Sequence, residues 1–283
     1  MVQIKRHMSA TAFKAWPSKA ITLLGMSGSG KTTLASKLPR DTWFHYSGDY
    51  RIGTRYLDEP ILDNIKREAM KVPFLADLLR SDSIYICHNI TINNLTPVAS
   101  FLGMIGDPEL GGLSVTEFKR RQVLHRSAEI AAMYDVRDFI QKSSQTYGYP
   151  HFINDAGGSL CELDEPDVIR QLAEETLILY LKPSVALLNQ IVERSLMAPK
   201  PMYYQERFLD HVLPLYLAEN SLDGPEQIDP GNYFRWMFPL LVQHRLPLYE
   251  AIAQEYGVVV EADRVDDIKG EDDFLELVAN GRG

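Results

Sequence analysis

Eight residues constrain this chain more than any others: Gly25-Met26-Ser27-Gly28-Ser29-Gly30-Lys31-Thr32, directly after the apolar, β-prone run Ala20–Leu24. Glycines at these spacings let successive backbone N–H groups converge on one point, a geometry that residues with a Cβ resist. Thr32 to Leu38 reads as a short helix that stops before Pro39. A strand, a glycine turn and a helix opening on Lys-Thr form a cradle for a polyphosphate. In such a cradle Lys31 reaches the terminal phosphates and Thr32 places its hydroxyl on a Mg²⁺ ion. The competing reading, a plain glycine turn before a helix, gives the Lys-Thr pair no purpose.

Strands and helices alternate along most of the chain. Strands are expected at 20–24, 43–46, 83–87, 151–154, 177–181 and 258–260, each an apolar run bounded by turn residues. Helices are expected at about 60–79 with a break near Pro73, and after Thr96-Pro97. A long one should start at Ser114-Val115-Thr116-Glu117, which has the spacing of a capping box, and run to about Thr146. This alternation implies an α/β fold with a mainly parallel sheet of five or six strands, covered on both faces. Residues 1–19 read as an N-terminal extension and 20–197 as the core. Residues 198–256 read as a helical insertion, broken by Pro199, Pro201, Pro225 and Pro230. The stretch 257–283 returns to the core as a last strand and helix.

The run Gly25-Met26-Ser27-Gly28-Ser29-Gly30-Lys31-Thr32-Thr33-Leu34-Ala35 resembles a P-loop NTPase of the kinase group. It is similar to the opening of adenylylsulfate kinases and related small-molecule kinases. The likeness is carried by residues 20–38 and extends to about residue 90. It implies a three-layer P-loop fold and ATP with Mg²⁺. The expected nucleotide contacts are Gly25, Ser27, Gly28, Ser29, Gly30, Lys31, Thr32 and Thr33, and Lys31 also acts in the transfer. In that group a G-D-x-x-R-like segment follows the second strand. Gly48-Asp49-Tyr50-Arg51 is similar to it, with the arginine one place nearer and Tyr50 where adenylylsulfate kinases have asparagine.

Asp49, at the C-terminal edge of a strand, faces the side on which α/β sheets bind ligands. There it can orient an acceptor hydroxyl or take its proton, and Arg51 and Arg55 can hold an anion by forked hydrogen bonds. The alternative is that Asp49 caps the next helix and the arginines lie on its exposed face. Phe152-Ile153-Asn154-Asp155 is an apolar strand ending in a carboxylate, the form of an element whose aspartate reaches Mg²⁺ beside Thr32. Asp155-Ala156-Gly157-Gly158 also reads D-x-x-G, as in switch-type NTPases. The long helix carries Lys119, Arg120, Arg121, His125 and Arg126. Arg121 and Arg126 are candidates for lid arginines that offset charge during phosphoryl transfer, although a solvated helix face explains the same pattern. His88 to Thr91 is a candidate acceptor-pocket segment, and Ala262 to Val265 a candidate purine contact. Lys200, Arg207, Arg235 and Arg245 are further cations without an assigned place.

Composition narrows the partners. A net charge of -9 disfavours a general nucleic-acid binder. No apolar run approaches the length of a membrane span. Cys87 and Cys161 share no metal-ligand spacing and no disulfide pattern, which fits a reducing cytoplasm. The expectation is an ATP-dependent phosphotransferase with a nucleotide and a small-molecule acceptor as partners, and the helical insertion is a candidate surface for a protein partner. The alternative is an ATPase that uses hydrolysis as a conformational switch.

Overall fold

The computed structural model describes residues 5–281. The first four residues of the expected N-terminal extension therefore lie outside it. Among the described residues, five strands form one parallel sheet: β1 (Ala20–Leu24), β2 (Trp43–Ser47), β3 (His151–Asp155), β4 (Leu177–Lys182) and β5 (Gly257–Glu261), in the order β2-β3-β1-β4-β5. Every residue of β1 is buried, as befits the central strand of a sheet covered on both faces.

Among the described residues, twelve α-helices surround the sheet. They are α1 (Ala10–Ala15), α2 (Lys31–Ser36), α3 (Gly48–Arg51), α4 (Asp58–Ala69), α5 (Pro73–Arg80), α6 (Thr96–Leu102), α7 (Val115–Gln145), α8 (Pro166–Glu175), α9 (Val185–Met197), α10 (Glu206–Glu219), α11 (Pro230–Tyr256) and α12 (Glu271–Asn280). A π-helical turn, Ile52–Tyr56, continues α3. On one face Ile21, Leu23, Ile153 and Leu179 pack with Phe13 of α1, Leu34 of α2 and Phe274 of α12. On the other, Leu24, Tyr46, Phe152 and Tyr180 pack with Met133 of α7, Leu172 of α8 and Tyr249 of α11. This is the three-layer P-loop arrangement, with the glycine loop joining the central strand to α2. Residues 198–256 share that second cluster through Phe208, Tyr216, Tyr233 and Phe238, so they are built onto the face of the sheet.

One expected strand is absent. Ser83–Cys87 carries no strand pairing. Tyr85 and Cys87 point to solvent while Ile84 and Ile86 are half-buried, so the alternation that suggested a strand is met by covering one side of a surface segment. The β2 edge of the sheet is left without it. At the start of α7, Ser114 Oγ accepts from Glu117 N at 3.3 Å, as the capping pattern requires. Glu117 itself turns to Arg120 and Arg121 rather than closing the box.

Candidate functional site

The loop after β1 takes the backbone its glycines permit. Gly28 and Gly30 have φ of 87° and 92°, in the left-handed region that L side chains resist. Lys31, 7% exposed, donates to the carbonyls of Gly25 at 2.7 Å and Met26 at 3.1 Å. An ammonium has three protons, so one remains for a phosphate oxygen. Burial lowers the Lys31 pKa, and the carboxylates of Asp155 and Asp49 oppose that shift. Ser29 Oγ is buried and has no hydrogen-bond partner.

Thr32 and Asp155 meet across the sheet. Thr32 Oγ1 donates to Asp155 Oδ2 at 2.6 Å, and His45 Nε2 of β2 lies 3.7 Å from the same oxygen. A hydroxyl and one carboxylate are the ligand set that a phosphate-bound Mg²⁺ takes from protein, since that ion keeps most of its waters. The fit to a Mg²⁺–triphosphate thus rests on this pair, on the spare proton of Lys31 and on the orphaned Ser29 hydroxyl.

Asp49 sits in α3, immediately after β2. The helix is capped by Ser47, whose Oγ accepts from Tyr50 N at 3.3 Å. The capping role therefore belongs to Ser47, and the Asp49 carboxylate is left for other work. Its pKa is raised to about 6, first by burial and then by Asp155, with Lys31 pulling the other way. A third carboxylate, Glu129 of α7, is fully buried behind it. Burial raises its pKa to about 8, and the hydrogen bond from Ser159 Oγ at 2.5 Å only partly offsets this. Gly157 separates the two acids. A Cβ placed there would lie 2.5 Å from Glu129 Oε1 and 3.1 Å from Asp49 Oδ1. Gly158 is equally confined, because a Cβ would lie 2.9 Å from Ser27 N, and its carbonyl accepts from the Tyr249 hydroxyl.

A cavity of about 730 Å³ opens beside the loop. Ser27, Gly28 and Asp49 line it together with residues of α6, α7, α9, α11 and the segment 198–203. Its cations are Arg194, Lys200 and Arg245. Arg245 is buried and held by Glu162, its Nε 2.6 Å from Glu162 Oε2. Arg194 and Lys200 are exposed at the rim. His125 also lines the cavity and stacks on Tyr203 with ring centroids 5.4 Å apart. Burial and the nearby Arg245 charge lower its pKa to about 4, so the ring is neutral at neutral pH.

The structure brings Lys31, Thr32, Asp49 and Asp155 together and leaves three expected arginines elsewhere. Arg51 turns to α7, where its Nε meets Asp135 Oδ2 at 2.7 Å and its guanidinium covers the Phe139 ring at 5.0 Å. Arg121 is buried and fully engaged by Glu117, the Phe101 carbonyl and Asn64 Oδ1. Arg126 bonds the Leu163 carbonyl and Glu165. In each case a nearby acceptor holds the guanidinium away from the loop. His88 does not reach the cavity beside the loop either. It pairs with Asp58 at 2.7 Å and lines a separate cavity of about 580 Å³ between α4 and α6. In the segment Ala262–Val265, Val265 packs on the loop, 3.1 Å from where a Gly30 Cβ would stand.

Sequence reasoning did not single out Glu129, Ser159 or Arg194. Glu129 falls on the buried side of α7, and no local pattern announces it. Arg194 follows from Ile191, one helical turn earlier, which packs 3.5 Å from the Cβ position of Gly28.

No family model matches the chain, and no curated protein matches its sequence. Among solved structures, a shikimate kinase from Bacteroides thetaiotaomicron aligns over 93% of this chain and 94% of its own, with a TM-score of 0.38 and 15% identity. A shikimate kinase from Acinetobacter baumannii, solved in complex with shikimate, aligns over 84% and 99%, with a TM-score of 0.30 and 15% identity. The P-loop architecture stands on the chain's own sheet order, its three layers and the loop between β1 and α2.

Proposed function

We propose that this chain transfers the γ-phosphoryl group of Mg-ATP to a hydroxyl of a small molecule held in the 730 Å³ cavity. One observation carries the reading: the phosphate loop and the Asp49 carboxylate line the same cavity, so nucleotide and acceptor have adjoining places. A hydrolytic switch needs no such second chamber.

The loop amides and Lys31 would hold the phosphates. Thr32 and Asp155 would hold Mg²⁺, which neutralises charge between the β- and γ-phosphates when bound. Asp49 would orient the acceptor hydroxyl and take its proton. With a pKa of about 6 it is ionised at neutral pH yet basic enough to accept a proton, as a general base should be. Arg194 and Lys200, which line the cavity, rather than Arg121 and Arg126, would be the cations that offset charge on the transferring group. Much of the rate would come from positioning and electrostatics.

The test is ADP release with and without pooled small-molecule hydroxyl compounds, for the native chain and Asp49→Asn. Release should depend on an acceptor, and Asp49→Asn should lower kcat by roughly 10²–10⁴-fold with ATP binding retained. For the native chain kcat/KM should fall as pH drops through about 6, where Asp49 gains its proton. Equal release with and without acceptors would identify a hydrolase instead.

A further inference from the structure

We propose that the 580 Å³ cavity between α4 and α6 is an effector site for an uncharged heterocycle, coupled through α6 to the cavity beside the phosphate loop. Binding at this place is independent of any phosphoryl transfer beside the loop.

The lining mixes apolar walls with neutral polar groups. Ile61 and Ile65 of α4 and Pro97 and Phe101 of α6 supply the walls. Asn64, His88, Asn89 and Ser100 supply polar side chains, and Cys87, Asn94 and Thr96 complete the lining. Among the described residues, no aspartate, glutamate, lysine or arginine lines the cavity. Two opposite charges touch the lining without joining it. Asp58 lies 2.7 Å from His88 Nε2, and Arg121 donates to Asn64, Glu117 and the Phe101 carbonyl. A charged ligand would therefore lose water here and meet no charge to replace it.

Several of the polar groups are free to serve a ligand. Asn64 Oδ1 accepts from Arg121 Nη2 at 2.8 Å, which turns the amide and leaves its NH₂ as a donor. His88 is nine-tenths buried, and its Nδ1 has no hydrogen-bond partner. Asn94 is spent on the loop itself, since its Nδ2 donates to the Asn89 carbonyl and its Oδ1 accepts from Thr96 N. That bracing holds Asn89 in place beside α6. A flat ring has two apolar faces for the walls and an edge of donors and acceptors for the amides, the histidine and the hydroxyl. A sugar, with hydroxyls on most of its perimeter, would leave some of them against Ile61, Ile65, Pro97 and Phe101 without a partner.

α6 stands between the two cavities. Pro97, Ser100 and Phe101 line this one, whereas Val98, Ala99 and Leu102 line the one that contains Asp49. Spacings of three and four residues put each set on its own side of the helix, so the partition is one helix thick, about 10 Å. The far side of α6 also presses on the element that carries Asp49. Val98 Cγ2 lies 2.7 Å, and Ile90 Cδ1 2.9 Å, from where a Gly53 Cβ would stand. Gly53 belongs to the π-helical turn that continues α3. A ligand that favours one position of α6 thus also favours one position of the Asp49 helix, by two contacts that leave no slack.

The test is a backbone-amide NMR titration of the full chain, saturated with a non-hydrolysable ATP analogue and Mg²⁺ so that the phosphate loop is filled. The probes are uracil, cytosine and nicotinamide, set against glucose, citrate and spermidine. The heterocycles should shift the amides of Asn64, His88, Asn89 and Ser100, and with the same concentration dependence those of Val98, Ala99 and Gly53. Asn89→Leu and Ser100→Trp should each weaken their binding by about tenfold, and retained affinity for the ATP analogue reports that each variant is folded. Shifts confined to the cavity beside the loop, or no binding at millimolar probe, overturn the site. Equal or tighter binding of glucose, citrate or spermidine overturns the ligand class. Shifts at Ser100 that do not extend to Gly53 overturn the coupling. Turnover is read separately: heterocycle binding by a chain that transfers no phosphate removes the phosphotransferase reading and leaves this site standing.

Discussion

Gly157 shows how tightly a single residue is fixed by its neighbours. It lies between the carboxylates of Asp49 and Glu129, with no room for a methyl group on either side. Gly157→Ala must therefore push one acid away. Overpacking of this kind costs about 1–3 kcal/mol. The expected result is a lower Tm together with a kcat loss larger than that of a remote alanine of equal stability cost. A variant with native kcat would show that the spacing of the two acids is immaterial to turnover. The position of Asp49 was legible in the sequence because it closely follows an apolar strand at the edge where such sheets bind ligands. Glu129 was not, because a glutamate within a long helix looks the same whether it faces solvent or is sealed behind another acid.

At the scale of elements, α3 carries Asp49 and is tied to α7 by Arg51. Both Arg51 and the Tyr56 hydroxyl bond the same oxygen of Asp135, at 2.7 and 2.8 Å. A single shared acceptor predicts coupling. Arg51→Ala and Asp135→Asn should each destabilise the chain, and the double variant should cost less than their sum by about 0.5–3 kcal/mol. An Arg51 that held a substrate anion would instead raise KM and show no coupling to Asp135. The sequence placed Arg51 on a short helix beside the site. It did not reveal which way the side chain turns, since Asp135 lies in a helix far along the chain. The same reasoning covers Ser83–Cys87, whose alternation marks one covered side but does not distinguish a sheet from the flank of two helices. Phosphate loops are the opposite case. Strand, glycines, lysine and threonine all lie within thirteen residues, so the local sequence suffices.

On the scale of the whole molecule, the buried acids make stability depend on pH. Glu129 keeps its proton up to about pH 8 in the folded chain, whereas the unfolded chain loses it near the ordinary carboxylate value. Between those limits the folded state binds the extra proton, so stability falls as pH rises through that window. Asp49 adds the same slope up to about pH 6. Glu129→Gln keeps the shape without the titration. Its Tm should decline less than that of the native chain between about pH 5 and pH 8. Parallel Tm curves for the two proteins would place the proton elsewhere.

The bond between Thr32 and Asp155 also bears on how the protein comes into being. It spans 123 residues, and the Arg245–Glu162 pair spans 83. Every strand pairing in the sheet is parallel, so each needs a long crossover before it can form. Chains dominated by such distant pairings fold slowly, because loop closure precedes its reward. The glycine loop can take its local shape early, but it faces a finished site only after β3 has found its place beside β1. A nascent chain thus carries a recognisable nucleotide cradle well before it has anything to do with a nucleotide.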